Sequence, residues 1–254
     1  MINIEEWFSC NKLTLNTDKT CFIIFKSSRW KQVYIPDVIN FNNKSINRVS
    51  CIKYLGLYVD ELLNWNNHVN EVCSALKRFF PTFYNIRYYV SLNHARIIYY
   101  AMMYSKIKYA IPIYGVTKQY NISKIQVLQN KLLKILTFKN YRYSTNQLHN
   151  EFDILKVNDI INQEILTFVH QYINNKLPSV FDQYFTHRFS IDEYISSGRK
   201  IRFITPRFYT DVGADAINVK GAQLWNGLKL DIDPNVSNKV FKKAFKESVL
   251  KYDV

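Results

Sequence analysis

The residues able to do chemistry in this chain fall into two groups, and only one has a usable pattern. Asp18, Asp37 and Asp60 are scattered, whereas a two-metal site needs carboxylates converging on ions roughly 3.5–4 Å apart. Cys10, Cys21, Cys51 and Cys73 include no CxxC pair and no histidine at zinc spacing, so neither a zinc knuckle nor a disulfide framework is indicated. Serines, histidines and acids occur without a nucleophile elbow or an HExxH helix, and the six glycines make no phosphate loop. His68 falls beside the helix face begun by Trp65, where a core or interface role is commoner than catalysis. What remains is the basic group, and its chemistry is electrostatic.

The formal charge is +14, from 34 Lys and Arg against 20 Asp and Glu. Between Leu62 and Asn150 stand basic residues at 77, 78, 87, 96, 106, 108, 118, 124, 131, 134, 139 and 142, with Glu71 as the single acid, a local balance of +11. Residues 143–254 hold 14 basic and 13 acidic side chains and are nearly neutral. That asymmetry suits a surface that tracks a phosphate backbone, where each neutralised phosphate releases a counterion. A/T-rich coding also enriches lysine, and Lys outnumbers Arg 24 to 10. Coding bias does not remove acids from 89 residues, so the balance favours nucleic-acid contact. The start carries no basic-then-apolar leader, and no run reaches the ~18 apolar residues of a membrane span. The expectation is a soluble protein of a reduced, intracellular compartment, nucleus or cytoplasm, with no membrane partner.

Elements that would position these residues follow from periodicity. Glu5 to Leu15 reads as the end of a helix with Trp7, Phe8 and Leu13 on its apolar side. The turn NTDK and a strand CFIIF (21–25) come next, and so early a strand is expected to be incompletely paired. Val33 to Phe41 reads as extended, and CIKYLGLYVD (51–60) alternates around one glycine as a hairpin or bulge. From Asn64 the period changes: Trp65, Val69, Val72, Leu76, Phe80 and Phe83 mark one helix face, which Pro81 kinks or divides into two helices. Ser91 can cap a helix presenting Ala95, Ile98, Tyr99 and Met102. A helix near 120–138 turns Ile122, Ile125, Leu128 or Gln129, Leu132 and Leu136 inward, leaving Lys124, Lys131 and Lys134 on a common outer face. Alone, those three lysines read as a solvated face. Asp153 to Asn174 is expected to be helical, Thr186 to Phe208 irregular, and Ala216 to Leu230 and Asn238 to Leu250 short helices.

Six stretches, in order, carry a resemblance: WFSCNKLTLNTDKTCFIIF (7–25), IKYLGLYVDELLNWNNHV (52–69), YAIPIYG (109–115), LQNKLLKIL (128–136), GAQLWNGL (221–228) and FKKAFKESVL (241–250). Together the chain resembles the carboxyl-terminal part of reverse transcriptases from non-LTR, LINE-type retrotransposons of the jockey-like kind. The resemblance implies an α+β fragment with a palm remnant and primer-grip-like hairpin (1–61), a basic helical thumb (62–142) and a post-thumb region (143–254). It places Lys19 near the incoming nucleotide and makes Lys53, Tyr54, Leu55 and Gly56 the hairpin that grips the primer end. It also implies that the metal-holding aspartates, and the partners of CFIIF, belong to a polymerase segment upstream of Met1, so that Mg²⁺ is expected only for the full-length enzyme. Tyr114 where the family often has Trp, Lys229 where Pro is common, and Pro81 inside the first thumb helix depart from the pattern.

The residues themselves leave local alternatives open. Tyr54 and Gly56 also suit a tight hairpin, Lys19 a solvated turn, and Trp65 and Trp225 packing. The combined expectation is an RNA-directed DNA polymerase fragment, inactive alone and without catalytic or metal-binding residues. It would bind primer–template nonspecifically through Lys19, Lys53, Tyr54, Gly56, Lys77, Arg78, Lys124, Lys131 and Lys134. The rivals are a decayed element product without a biochemical role and a domesticated protein-interaction module.

Overall fold

The computed structural model describes residues 2–14, 16, 19–26, 36–41, 44–187, 201–208, 210–228 and 235–252. It divides into two compact units, residues 1–68 and 69–254. The α+β class holds: short strands occupy the first unit and helices dominate the second.

The first unit opens with α1 (Ile2–Cys10). Lys12, at φ 52°, ends it: its N–H bonds the Ser9 carbonyl and that of Leu13 bonds Phe8. This is a Schellman closure made with lysine where glycine is usual. Trp7 is exposed, as is Leu13, so the apolar side expected for this helix is not buried. Only Cys21–Phe22 of CFIIF forms a strand, β1. It pairs parallel with β3 (Lys44–Arg48), which pairs antiparallel with β2 (Val38–Phe41), in the order β1-β3-β2. The expected extended run at 33–41 is seen from Val38; residues 33–35 lie outside the described residues. β4 (Cys51–Tyr54) and β5 (Leu57–Asp60) form a separate two-stranded hairpin. Leu55 and Gly56 both have positive φ, 45° and 82°, the signature of a type I′ turn whose twist matches the flanking strands.

Asp60 then organises the exit from the hairpin. Its Oδ1 accepts from the N–H groups of Leu62 and Asn64, each at 3.1 Å, and its Oδ2 from that of Trp65 at 2.9 Å. Those bonds hold Leu63 and Trp65 at φ 52° and 62° and bury the Trp65 ring. His68 is buried as well, with its Nδ1 3.5 Å from the Tyr58 N–H. The division between the units falls after His68, inside α2 (Asn66–Arg78).

In the second unit Val69, Val72 and Leu76 of α2 are buried, as their spacing requires. Pro81 lies in the first turn of α3 (Phe80–Ile86), where its missing N–H costs nothing, so two helices meet there. Ser91 caps α4 (Leu92–Ile98) by accepting from the His94 N–H. The next turn, Tyr99–Tyr104, is π-helical, with the Ser105 N–H reaching back to the Tyr100 carbonyl. That wider turn shifts the inward face by one residue: Met103 is buried and Met102 only partly so, against the expectation for Met102. The short α5 (Ser105–Lys108) and α6 (Ile111–Tyr114) follow. In α7 (Gln119–Leu136) Ile122, Ile125, Gln129, Leu132, Leu133 and Leu136 face inward, with Gln129 resolving the Leu128-or-Gln129 alternative.

After α8 (Thr145–Glu151), the long α9 (Val157–Ile173) packs against α5, α6, α7 and two later helices. Past the short α10 (Asp211–Ala214), these are α11 (Ile217–Gly227) and α12 (Asn238–Tyr252). Gly221 sits where a Cβ would meet Val169 at 2.9 Å, so only glycine allows α11 this close to α9. The GAQLWNGL stretch is likewise structural: Trp225 Nε1 donates to the Ile201 carbonyl at 3.1 Å, and Asn226 exchanges two hydrogen bonds with the Phe203 backbone. Phe241 and Phe245 of α12 are buried against Leu166 of α9. Of the expected irregular region 186–208, residues 188–200 lie outside the described ones; His187 and Phe203 form a lone β-bridge.

Candidate nucleic-acid interface

The residues expected to touch nucleic acid fall on both units and are placed within each separately. In the first, Asn16 accepts from the Lys19 N–H and the Thr20 hydroxyl, closing a turn that leaves the Lys19 side chain exposed. Lys53 and Tyr54 stand at the turn end of the β4–β5 hairpin, beside Gly56 of its turn. Lys53 lies 5.4 Å from the centroid of the Tyr58 ring, its cross-strand neighbour. The Tyr54 ring is exposed.

In the second unit two helices, α2 and α7, bring their lysines to one seam. Lys77 of α2 and Lys124 of α7 both act on the Cys73 thiol. Burial pushes that thiol above its ordinary value and the two ammonium charges pull it back. Lys124 lies over the Tyr120 ring at 4.8 Å, and Lys131 over the ring of Phe80, at the start of α3, at 5.0 Å. Rings under ammonium groups hold the stems while leaving the charge outward. Among the described residues Lys77, Lys124 and Lys131 form no ion pair. Arg78 pairs loosely with Glu71 at 3.8 Å, both well exposed. Lys134 differs from the other two lysines of its helix: it is partly buried and donates to the Tyr141 carbonyl at 2.7 Å, fastening the loop after α7.

Other cations of the acid-poor stretch meet acids supplied by the tail. Arg96 bonds Asp153, Lys108 lies 3.2 Å from Glu164, and Lys139 lies 3.2 Å from Glu151. A shallow cleft of about 260 Å³, lined in part by Arg96, Lys139 and Glu151, sits among these pairs. Arg87 is a residue that the pattern of charges alone did not single out. Its guanidinium lies 3.9, 4.6 and 4.7 Å from the ring centroids of Tyr84, Phe138 and Tyr88 and donates to the Ile135 carbonyl at 3.3 Å. The aromatic run around it, FYNIRYY, was the available signal.

Among the described residues the aspartates of the first unit do not converge. Both oxygens of Asp60 are engaged by backbone N–H groups, Asp37 lies 3.5 Å from Arg48, and Asp18 is outside the described residues. Among the described residues no group of three or more His, Cys, Asp or Glu could hold an ion. No helix among them is long and apolar enough to cross a membrane.

Comparison with known proteins bears out the resemblance carried by the ordered motifs. The chain is 26% identical over 164 residues, 63% of its length, to a probable RNA-directed DNA polymerase from transposon X-element of Drosophila melanogaster. It is 23% identical over 176 residues, 67% of its length, to the RNA-directed DNA polymerase from mobile element jockey of Drosophila funebris. A probable RNA-directed DNA polymerase from transposon BS of Drosophila melanogaster is 24% identical over 166 residues, 64% of the chain. These matches span only 17% to 18% of the relatives' own length. No family model matches the chain, and no solved structure matches it either.

Proposed function

We propose that this chain is the end-of-palm, thumb and post-thumb part of a mobile-element RNA-directed DNA polymerase. Its share of the work is to hold a primer–template duplex, and it does not extend a primer by itself. The observation that carries this reading is the seam of Lys77, Lys124 and Lys131, three exposed lysines on neighbouring helices that form no ion pair among the described residues. Such a surface grips a duplex by its phosphates and so reads shape and charge in place of base identity. Arg78 at the end of α2 would add to the grip. In the first unit, the exposed Lys53 and Tyr54, with the Gly56 turn, are proposed to meet the primer end, and the exposed Lys19 to lie near the incoming nucleotide. Likeness to polymerases supports the substrate class.

The test is fluorescence anisotropy on a labelled RNA–DNA heteroduplex across a salt series. The original chain is expected to bind any sequence alike with a log–log salt slope near −4, as for roughly 4–5 phosphate contacts. Replacing Lys77, Lys124 and Lys131 together with Glu should weaken binding on the order of 100-fold at low salt and flatten the slope by about 2–3. Binding that survives this triple change with its slope intact would overturn the seam as the interface. Template-dependent extension by the purified chain would overturn the claim that it does not polymerise alone.

A further inference from the structure

The rings around Arg87 are more than packing. Phe138 and Tyr88 meet edge to face at 5.2 Å, Tyr84 covers the guanidinium from another side, and Arg87 donates to the Tyr88 hydroxyl at 2.7 Å. Nearby, Lys134 holds the Tyr141 carbonyl and Arg142 donates to the Tyr141 hydroxyl at 2.8 Å. Rings fixed in this way would normally be buried, yet Tyr84 is 52% exposed, Phe138 55%, Tyr88 62% and Tyr141 78%. The end of α3 and the loop after α7 therefore present oriented aromatic faces to solvent among guanidinium and ammonium groups. Glu151 is the neighbouring acid, and it is occupied by Lys139 and the Tyr143 hydroxyl.

We infer that Tyr84, Tyr88 and Phe138, braced by Arg87, and Tyr141, held by Lys134 and Arg142, form a stacking platform for the bases of unpaired nucleic acid. The inference rests on the proposal that the chain binds nucleic acid and adds the class of strand. Charge complementarity selects this occupant: a purely apolar partner would have to desolvate Arg87 and Arg142, whereas a single strand offers π faces to the rings and phosphates to the cations. A stacked duplex hides its base faces, so the platform favours single strands where the lysine seam favours paired ones. The rings' orientation is already set by their contacts, so little freedom is lost on binding.

The experiment compares a labelled oligothymidylate of about 20 nucleotides with a duplex of equal length, using the full chain, Tyr88→Ser with Tyr141→Ser, and Tyr88→Trp with Tyr141→Trp. The serine pair should weaken single-strand binding about tenfold, leave the salt slope unchanged because no cation is removed, and hardly affect the duplex. The tryptophan pair, which keeps the π faces, should bind the single strand at least as well as the original chain. Equal losses on both ligands, no loss on either, or failure of the tryptophan pair alongside the serine pair would overturn the platform. So would ring-dependent self-association that excludes the oligonucleotide, since a second copy would then be the occupant. Duplex binding without ring-dependent single-strand binding removes the platform and leaves the duplex proposal standing; ring-dependent single-strand binding without duplex binding does the reverse.

Discussion

Within the second unit, two sets of cations have opposite fates. On the α2–α7 seam Lys124 and Lys131 lie over rings and Lys77 is exposed, while Arg96, Lys108, Lys139, Lys242 and Lys246 meet Asp153, Glu151 and Glu164. The paired group is assembled from distant parts of the chain: Glu164 of α9 serves both Lys108 of α5 and Lys242 of α12. The +11 counted along residues 62–150 is therefore not one field. Acids from the balanced tail fold back onto part of it, and Lys77, Lys124 and Lys131 are left without an ion pair among the described residues. Bare cations should govern salt-dependent binding and paired ones stability.

The sharpest break of that contrast would come from Glu164→Gln. The Glu164 side chain is only 13% exposed, and burial pulls the Lys242 ammonium below the ordinary lysine value, with the Glu164 hydrogen bond opposing. Neutralising this acid leaves two ammonium groups short of a partner and should lower unfolding free energy by about 2–3 kcal/mol in urea titrations. Duplex binding should keep its salt slope. A stability loss below about 0.5 kcal/mol would place the paired cations on the same footing as the bare ones. The Lys77, Lys124 and Lys131 charge reversal supplies the converse, with unfolding free energy changing by less than about 1 kcal/mol.

A smaller effect is expected at low pH in the first unit. The Lys26 hydrogen bond, followed by that of Arg48, holds the Glu61 carboxyl below its ordinary value of 4.5. A carboxyl depressed on folding stabilises above the unfolded value, and that contribution is lost as pH falls through the folded value. Acid unfolding monitored for the chain and for Glu61→Gln should show this extra acid limb only with glutamate. Identical acid limbs would mean that the two bonds add nothing to stability. The least effect is expected from Lys243→Ala, whose exposed pair with Glu247 spans 3.8 Å; a change above about 0.5 kcal/mol would contradict the ranking of exposed pairs below buried ones.

Helix faces were legible wherever local spacing decides them, as for Val69, Val72 and Leu76 in α2 and Ile122, Ile125 and Leu132 in α7. The Leu55–Gly56 turn was legible because alternation broke at a glycine. CFIIF was read too long because apolar content does not say how many residues find a ladder partner, and β3 offers β1 only Asn47 and Arg48. Among the candidate residues, the outward course of Lys124 and Lys131 follows from periodicity. The anchoring of Lys134 does not, since its acceptor is a carbonyl in the following loop. Partners such as Asp153 for Arg96 and Glu164 for Lys108 are equally invisible from local pattern, because the fold alone brings them together.

The π-helical turn at Tyr99–Tyr104 gives this stretch a spare residue. Downstream of it, Ile107 is fully buried and Lys108 reaches Glu164 only because the reading frame of the helix has slipped. Deleting one residue from that turn would return the Ser105 bond to ordinary spacing and carry everything after it round by about 100°. Ile107 would leave the interior and Lys108 its acid at a single stroke, although neither had been altered. For this segment chain length is itself a specificity element, and a one-residue change acts there as a simultaneous substitution of every position as far as Lys108.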